Sequence, residues 1–274
     1  MRPIGLHVRV ADTIEQAAEY AQELNMPLFQ CFLVNQSSRQ PLHIDDATAT
    51  SFKNKIGNRT FYVHGSYWIN LAQLTNKGIA ILKNEISQAK QLGARHIILH
   101  PGAAVAHATH EEGIEALAAI LNKIMAYEQD IVIVLENTAH AHQAIGSNLT
   151  DFYLLKQKLN WPERLRFCID TAHAHAYGYD LTNPHKQNEF IDLIDTTMGI
   201  DNIELLHLND AIYPCGSRID KHAIIGHGTI GAQALKSFAL HPRLIHIPII
   251  LELPSLPPTE DNGMLHLVRN WHTK

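Results

Sequence analysis

One short stretch carries the pattern from which the fold is predicted: Leu205-Leu206-His207-Leu208-Asn209-Asp210-Ala211. A short apolar run ends in His, Asn and Asp, and the loop after it carries Asp220 and His222 two residues apart. A buried strand that delivers polar side chains at its carboxyl end is typical of a site at the mouth of a parallel barrel. A lone histidine in such a place is more often an ordinary hydrogen-bonded residue than a ligand. A functional site is therefore indicated only if other predicted strands end in the same way.

The pattern recurs along the whole chain. Apolar strands are predicted at 4–10, 27–33, 61–66, 96–102, 131–137, 165–170, 203–208 and 245–252. Helical patterns alternate with them at 13–23, 45–55, 77–92, 109–127, 149–159, 189–197, 232–239 and 261–271. This alternation predicts an α/β protein, a (β/α)8 TIM barrel that forms a single domain over residues 1–274.

Composition narrows the class of protein. The chain has 46% hydrophobic and 18% charged residues, as expected of a globular protein with a sizeable core. It opens directly on a strand pattern and contains no apolar run of about 18 residues, which predicts a cytoplasmic protein without a membrane segment. Cys31, Cys168 and Cys215 lie far apart and form no CxxC pair, so we expect neither a disulfide framework nor a cysteine zinc site.

Metal ligands are unusually abundant. The chain has 19 histidines against 22 lysines and arginines, and histidine is the commonest side-chain metal ligand. The C-terminal ends of the predicted strands, or the loops after them, carry five histidines and four carboxylates: His64, His100, Glu136, Asp170, His173, His207, Asp220, His222 and Glu252. In a TIM barrel these positions converge on one rim. Carboxylates buried side by side are costly unless cations accompany them.

The donor types indicate which metal and which chemistry. Imidazole and carboxylate ligands without cysteine favour zinc, with manganese as the alternative at one position. Nine ligands exceed the need of one tetrahedral ion and predict a multinuclear site. Closely spaced metal ions suit phosphoryl displacement, which indicates phosphodiester hydrolysis. The formal net charge of −5 argues at first against a nucleic-acid partner. Bound divalent cations would offset this negative charge, so the composition does not exclude DNA.

These motifs closely resemble those of endonuclease IV, the zinc-dependent apurinic/apyrimidinic endonuclease. The likeness runs in order along nearly the whole chain: HGSYWINL at 64–71, LHPG at 99–102, LENTA at 135–139, CIDTAH at 168–173, GYD at 178–180, HLNDA at 207–211, GSRIDKH at 216–222, GHGTIG at 226–231 and LE at 251–252. The resemblance implies a trinuclear zinc site that cleaves double-stranded DNA 5′ to an abasic site and leaves a 3′-hydroxyl. A monomer is expected, because DNA must reach an open barrel face.

The resemblance also implies a role for each ligand. One zinc would be held by His64 and His100, and Glu136 would bridge it to the second zinc. The remaining ligands of the second zinc would be Asp170, His207 and Glu252, and those of the third would be His173, Asp220 and His222. Glu252 would orient or deprotonate the attacking water, so Glu252 and Glu136 are the predicted catalytic residues.

The predicted DNA contacts are Tyr67, Arg39, Arg218 and Lys221. Tyr67 matches the family's stacking tyrosine, with packing against Trp68 as the alternative. Arg39 arrives two residues later than the family's arginine, because Ser37-Ser38 follows Asn35-Gln36, and would reach DNA only if the loop shifts. Arg218 and Lys221 lie beside ligands and would meet phosphates or remain solvated loop charges.

Other positions depart from the family pattern. Residues 10–13 read Val-Ala-Asp-Thr where the family often has a Gly-Gly turn, and His227 stands where glutamate is common. His140, His142 and His175 are additional histidines near the predicted rim, of which His140 and His142 are expected to lie on the surface. Any of these histidines could hydrogen-bond a ligand.

Two other classes of function stay open at this point. A sugar isomerase or epimerase of the related xylose-isomerase-like barrels would gather similar ligands, but the Asp220/His222 pair for a third ion argues against it. A metal-binding or damage-binding protein without turnover is the other class, and the presence of both Glu136 and Glu252 argues against it.

Overall fold

Eight parallel strands curl into a barrel in the computed structural model, which describes residues 2–35, 38–139 and 143–272. The barrel strands are β1 (Ile4–Leu6), β2 (Leu28–Phe32), β3 (Thr60–His64), β4 (His96–Leu99), β5 (Val132–Glu136), β6 (Leu165–Asp170), β7 (Ile203–His207) and β10 (Ile249–Leu251). Their order around the sheet is β1-β10-β7-β6-β5-β4-β3-β2, and every neighbouring pair is parallel. A parallel bridge from His7 to Gln30 links β1 to β2, which confirms the predicted TIM barrel.

Helices follow the strands and cover the outside of the barrel. In the described ranges they are α1 (Ile14–Glu23), α2 (Asp46–Ile56), α3 (Asn76–Gln91), α4 (His110–Tyr127), α5 (Thr150–Gln157), α6 (Thr171–Tyr177), α7 (Pro184–Thr197), α8 (Ala232–Ala239) and α9 (Pro258–Asn270). Side-chain caps define several starts; Thr109, for example, accepts a hydrogen bond from the Glu112 amide at 3.2 Å and begins α4 as its sequence pattern predicts. A small antiparallel hairpin, β8 (Asp210–Ala211) and β9 (His222–Ala223), lies beyond the end of β7.

Several element predictions were wrong in detail. The first strand was predicted to reach Val10, but β1 ends at Leu6. The strand predicted at 245–252 begins only at Ile249, because the chain before Pro248 turns back and the Ile247 amide bonds to the Leu244 carbonyl. The helix predicted at 189–197 begins at Pro184, where the Asn183 side chain caps two amides. Helix α6 was not predicted at all; every residue from Thr171 to Ala176 is buried, so it has no amphipathic period.

Side-chain alternation along the strands positions the site. Seven strands each send one buried residue into the barrel interior: Leu28, Tyr62, Ile98, Val134, Cys168, Leu205 and Ile250. At the matching position of β1 stands Gly5, whose Cβ, if present, would lie 1.8 Å from the Leu28 carbonyl oxygen. Residues two positions further along share the same orientation, since strand side chains alternate with a period of two. The interior layer therefore determines which side chains form the next layer, at the C-terminal rim.

Candidate metal centre

The layer above the barrel interior is polar on every strand. We call it the rim ring: His7, Gln30, His64, His100, Glu136, Asp170, His207 and Glu252. Each member stands two residues after an interior residue or after Gly5, which explains why positions far apart in sequence converge. Six of the eight are predicted metal ligands, and the helix and loops beyond the rim add His173, Asp220 and His222.

Glu136 lies at the centre of the ring and is fully buried. Its Oε2 lies 3.0 Å from Nε2 of both His64 and His100. Its Oε1 lies 2.9 Å from His207 Nδ1 and 3.3 Å from His173 Nδ1. A carboxylate with imidazoles on both oxygens has the arrangement required of a ligand that bridges two ions.

A second group of ligands adjoins Glu136 on the side of α6. Asp220 Oδ2 lies 3.2 Å from His173 Nε2, and Asp220 Oδ1 lies 3.5 Å from His222 Nε2. Asp170 Oδ2 lies 3.6 Å from the same His222 nitrogen, while Asp170 Oδ1 caps α6 by accepting the His173 amide at 2.8 Å. All nine predicted ligands therefore come together in one continuous cluster.

Four overlapping groups in this cluster have ligand atoms within 4.8 Å of one another and could each hold an ion. Their members are His64, Glu136 and His207; His100, Glu136 and His173; Asp170, His173 and His222; and Glu136, Asp170, His207 and Glu252. Glu136 belongs to three of them and His173 to two. The four groups therefore share ligand residues and form one connected cluster.

Three polar residues that were not among the predicted site residues hold Glu252 in place. Its Oε1 lies 3.1 Å from His7 Nδ1 and accepts a hydrogen bond of 2.8 Å from Gln30 Nε2. Asn209 contacts both the backbone and the side chain of Glu252. Its Oδ1 accepts a hydrogen bond from the Glu252 amide at 2.8 Å, and its Nδ2 donates one to Glu252 Oε2 at 3.3 Å. Gln30 also accepts from His207 Nε2 at 3.0 Å, so it connects two predicted ligands.

The histidine orientations fit metal ligation. Nδ1 of His64 and of His222 donates to a backbone carbonyl, that of Gly65 at 2.8 Å and that of Glu252 at 3.0 Å, which leaves Nε2 facing the cluster. Among the described residues, Nε2 of His222 is buried and has no hydrogen-bond partner. A buried imidazole nitrogen without a partner, aimed at two carboxylates, is an atom that a cation would satisfy. The donor set, imidazole and carboxylate, suits zinc.

Charge compensation accounts for the electrostatics of the cluster. Burial disfavours ionised Glu136 and Glu252, but the neighbouring imidazoles, His207 foremost, outweigh it and hold the pKa of both carboxyls well below the usual range. Burial also opposes protonation of His207 and His173, yet both pKa values are raised well above the usual value, that of His207 by Cys168, Glu252 and Glu136 and that of His173 by Asp170 and Asp220. The buried carboxylates thus draw positive charge into the site, as a cation-binding cluster must.

The predicted DNA contacts lie around the rim. Tyr67 is 55% exposed, and its ring meets that of Trp68 edge to face at 5.1 Å. The Arg39 guanidinium stands 5.5 Å from the Trp68 ring centroid. The Arg218 guanidinium lies 3.8 Å over the Tyr177 ring. Lys221 is exposed.

The altered loops are only partly described. Gln36, Ser37, His140 and His142 lie outside the described residues. The Asn35 side chain accepts the Ser38 amide at 2.9 Å, and Arg39 adopts a left-handed backbone with φ of 57°. His227 is exposed, whereas His175 is buried.

Two clefts open beside the cluster. One, of about 580 Å³, runs from Glu252 and His222 past Arg9 to Asn35. The other, of about 520 Å³, runs from His100 and Asp220 to Tyr67. Both volumes fall in the range of small-molecule sites, so each cleft could admit a nucleotide-sized group to the ligands.

Comparisons with known proteins identify the family. Residues 18–269 match the family model of the xylose isomerase-like TIM barrel. A protein of Halorhodospira halophila named "Probable endonuclease 4" is 35% identical over 267 residues, which cover 94% of this chain and 90% of that protein. The chain belongs to the endonuclease IV family. The solved endonuclease IV of Thermus thermophilus superposes with a TM-score of 0.84 at 28% identity, covering 98% of both chains.

The endonuclease IV family and the ligand cluster together support a metal cofactor. A D-psicose 3-epimerase of Clostridium cellulolyticum shares the fold, with a TM-score of 0.66, but only 9% identity over 98% of both chains. The likeness to this sugar enzyme is therefore one of architecture alone. Among the described helices, none is both long and apolar enough to span a bilayer.

Proposed function

We propose that this protein is a metal-dependent endonuclease that hydrolyses the DNA phosphodiester bond 5′ to an abasic site, as part of base excision repair. The observation that carries the proposal is the convergence of eight imidazole and carboxylate ligands around a ninth, the buried Glu136. Membership of the endonuclease IV family supports DNA as the substrate. The ligand set supports hydrolysis at a multinuclear zinc site.

Three zinc ions are proposed, with manganese as an alternative at one position. His64 and His100 would hold the first ion, and Glu136 would bridge it to the second. Asp170, His207 and Glu252 would complete the second, and His173, Asp220 and His222 would hold the third. When bound, such ions supply a nucleophilic hydroxide at neutral pH and stabilise the charge of the leaving oxygen.

Glu252 is proposed to orient the attacking water and to accept its proton. Its carboxylate is held at Oε1 by His7 and Gln30 and at Oε2 by Asn209, so it has little freedom to turn away. The lowered pKa of this carboxyl keeps it ionised at neutral pH, so it can accept a hydrogen bond from the water and hold that water in position. Glu136 contacts imidazoles through both of its carboxylate oxygens, so its proposed contribution is to hold these ligands in place around the metal ions.

The surroundings of the cluster support DNA binding. Tyr67 offers an exposed ring at the end of the cleft that starts at Asp220, where it can stack on a base or fill the gap of a missing one. Arg39, Arg218 and Lys221 are cations around the same mouth that are proposed to meet phosphates. We propose that the protein acts as a monomer, because duplex DNA must reach the open rim.

The test is cleavage of a duplex oligonucleotide that carries one abasic-site analogue, with an intact duplex as substrate control. Incision 5′ to the analogue is expected from zinc-loaded protein and not from chelated protein. Glu252→Gln should lose incision, and its metal content is measured in parallel because Glu252 is also a proposed ligand of the second ion. Glu204→Gln is the matched control and should retain full activity, because Glu204 contacts Tyr62 and His96 at the opposite end of the barrel.

The outcomes separate the hypotheses. Incision lost on chelation and in Glu252→Gln, but retained in Glu204→Gln, would establish a metal-dependent abasic endonuclease. Absence of incision by protein with a measured full metal content would refute the proposal and turn attention to free and phosphorylated sugars as substrates.

A further inference from the structure

A second group of metal-ligand side chains lies outside the nine-residue cluster, at the C-terminal end of α6. His175 follows the predicted ligand His173 by two residues but is 1% exposed. Its Nδ1 is buried and, within the described ranges, has no hydrogen-bond partner. A buried imidazole nitrogen left unsatisfied costs free energy, so a bound ion at this place would stabilise it.

Two further donors meet this imidazole. One imidazole nitrogen of His175, one carboxylate oxygen of Asp180 and Sγ of Cys215 all lie within 4.8 Å of one another. Asp180 is oriented through Oδ1, which accepts hydrogen bonds from the Thr182 amide and hydroxyl at 2.9 and 2.6 Å. Cys215 is exposed, so an ion from solvent can reach the group.

The backbone around the three donors is tightly linked. The His175 carbonyl accepts the Gly216 amide at 3.0 Å, and the Ala176 carbonyl accepts the Arg218 amide at 2.9 Å. These bonds dock the loop that carries Cys215 onto the end of α6. The Arg218 guanidinium stacks 3.8 Å over Tyr177 and adds a side-chain contact to the same junction. The donors therefore stand on a preassembled frame.

We propose that His175, Asp180 and Cys215 bind a divalent transition-metal ion of the zinc class, at a site separate from the proposed catalytic centre. Thiolate, imidazole and carboxylate together suit Zn²⁺ or Co²⁺ and not the hard ions Mg²⁺ or Ca²⁺. Three protein ligands leave a fourth tetrahedral position to water. The site cannot be predicted from the spacing of cysteines, because the chain has no CxxC pair and the three ligands come from separate parts of the fold.

The proposed ion has a structural role. It ties the end of α6 to the loop that continues, a few residues later, to Asp220 and His222. Both of these side chains belong to the nine-residue cluster, and Asp220 contacts His173 of the same helix at 3.2 Å. The ion would thus hold the loop against the helix on one side while the catalytic cluster holds it on the other. Burial, with the Asp180 charge, raises the pKa of the Cys215 thiol, so binding should release a proton.

Cobalt substitution tests the site through a signal that only a thiolate ligand produces. Protein stripped by chelation and refilled with Co²⁺ should show the near-ultraviolet charge-transfer band of thiolate-bound cobalt. Cys215→Ser should abolish this band and lower the metal content by one ion per chain, and His175→Gln should weaken it. Ser217→Ala, a small change in the same loop, should keep both. A band that is missing in the wild type, or that persists in Cys215→Ser, would overturn the proposal.

Alkylation of the wild-type protein gives a second measurement that needs no variant. The rate of Cys215 carboxamidomethylation by iodoacetamide is followed by mass spectrometry in stripped protein, with and without Zn²⁺. When free Zn²⁺ is at about ten times the Kd of the proposed site, the fraction of sites without metal should fall about tenfold, and the rate of Cys215 alkylation should fall with it. Equal rates would refute the site. DNA incision is not the readout in either experiment, so a negative result leaves the proposed endonuclease function untouched.

Discussion

Gln30→Leu should weaken zinc binding although Gln30 is not itself a ligand. The Gln30 side chain is completely buried and joins three partners in the rim ring. Its Oε1 lies 3.0 Å from His207 Nε2, and its Nε2 lies 2.8 Å from both His7 Nδ1 and Glu252 Oε1. With Nε2 of His207 occupied in this way, Nδ1 is the nitrogen that faces Glu136. Gln30 thus fixes the orientation of a proposed ligand and of the proposed base.

The magnitude follows from what the substitution leaves behind. Leucine fills the space but offers no acceptor, so the buried His207 N–H loses its partner at a cost of about 1–3 kcal/mol. Loss of such a supporting hydrogen bond typically lowers metal affinity about 10- to 100-fold. That range corresponds to about 1.4–2.8 kcal/mol, so the two estimates agree. Glu252 also loses a donor at Oε1, and incision should fall by at least as much as metal occupancy does.

The assay is competition for zinc with a chromogenic chelator, with the bound ions counted after equilibration. Gln88→Leu is the matched control: Gln88 is another buried glutamine, and its Nε2 donates to the Leu42 carbonyl at 2.7 Å on the outer face of the barrel. The control should lose stability without loss of zinc affinity. Zinc affinity in Gln30→Leu equal to that of the wild type would refute the argument that the ring orients its ligands through Gln30.

Three further changes test the fold and the DNA face. Gly5→Ala should prevent stable folding, because the new Cβ would lie 1.8 Å from the Leu28 carbonyl oxygen; a cooperative urea transition like that of the wild type would contradict this. Asp210→Ala should lower the free energy of unfolding by more than about 3 kcal/mol, since the buried carboxylate accepts several backbone amides of the 226–231 loop; urea titration measures the change. Tyr67→Ala should weaken binding of abasic duplex about 10-fold at unchanged zinc content, and Tyr127→Ala, an exposed tyrosine at the end of α4, should leave binding unaltered in a fluorescence anisotropy titration.

The barrel could be predicted from sequence because its strands are short, apolar and separated by helical periods. The prediction failed where local pattern and tertiary structure disagree. Ile245-His246-Ile247 alternates like a strand, but the chain turns there and enters the barrel only after Pro248. Helix α6 lies buried on all sides, so the contrast between apolar and polar faces by which helices are recognised is absent.

The convergence of the nine proposed ligands could be predicted because their residue types are informative and because strand ends meet at one rim. His7 and Gln30 were missed for two different reasons. The first strand was predicted to continue to Val10, which placed His7 in its middle, whereas β1 ends at Leu6 and His7 stands at the rim. Gln30 was not predicted as a site residue because glutamine is not a usual zinc ligand. Counting two residues on from each interior residue would have found Gln30, since Leu28 is the interior residue of β2.

The proposed DNA contacts are harder to predict than the rim residues, because the strand period of two does not position them. The position of a rim residue is fixed by the hydrogen-bonded strand that carries it, so the register of the barrel determines which side chains of the adjacent strands lie beside it. Arg39 and Arg218 lie in loops, where no strand register fixes their positions, and both have left-handed backbone conformations. Arg39 lies near the Trp68 ring and Arg218 near the Tyr177 ring. The register of the barrel therefore does not determine whether either side chain reaches a phosphate. A substituted loop can therefore change which DNA is bound while the metal ligands keep their places.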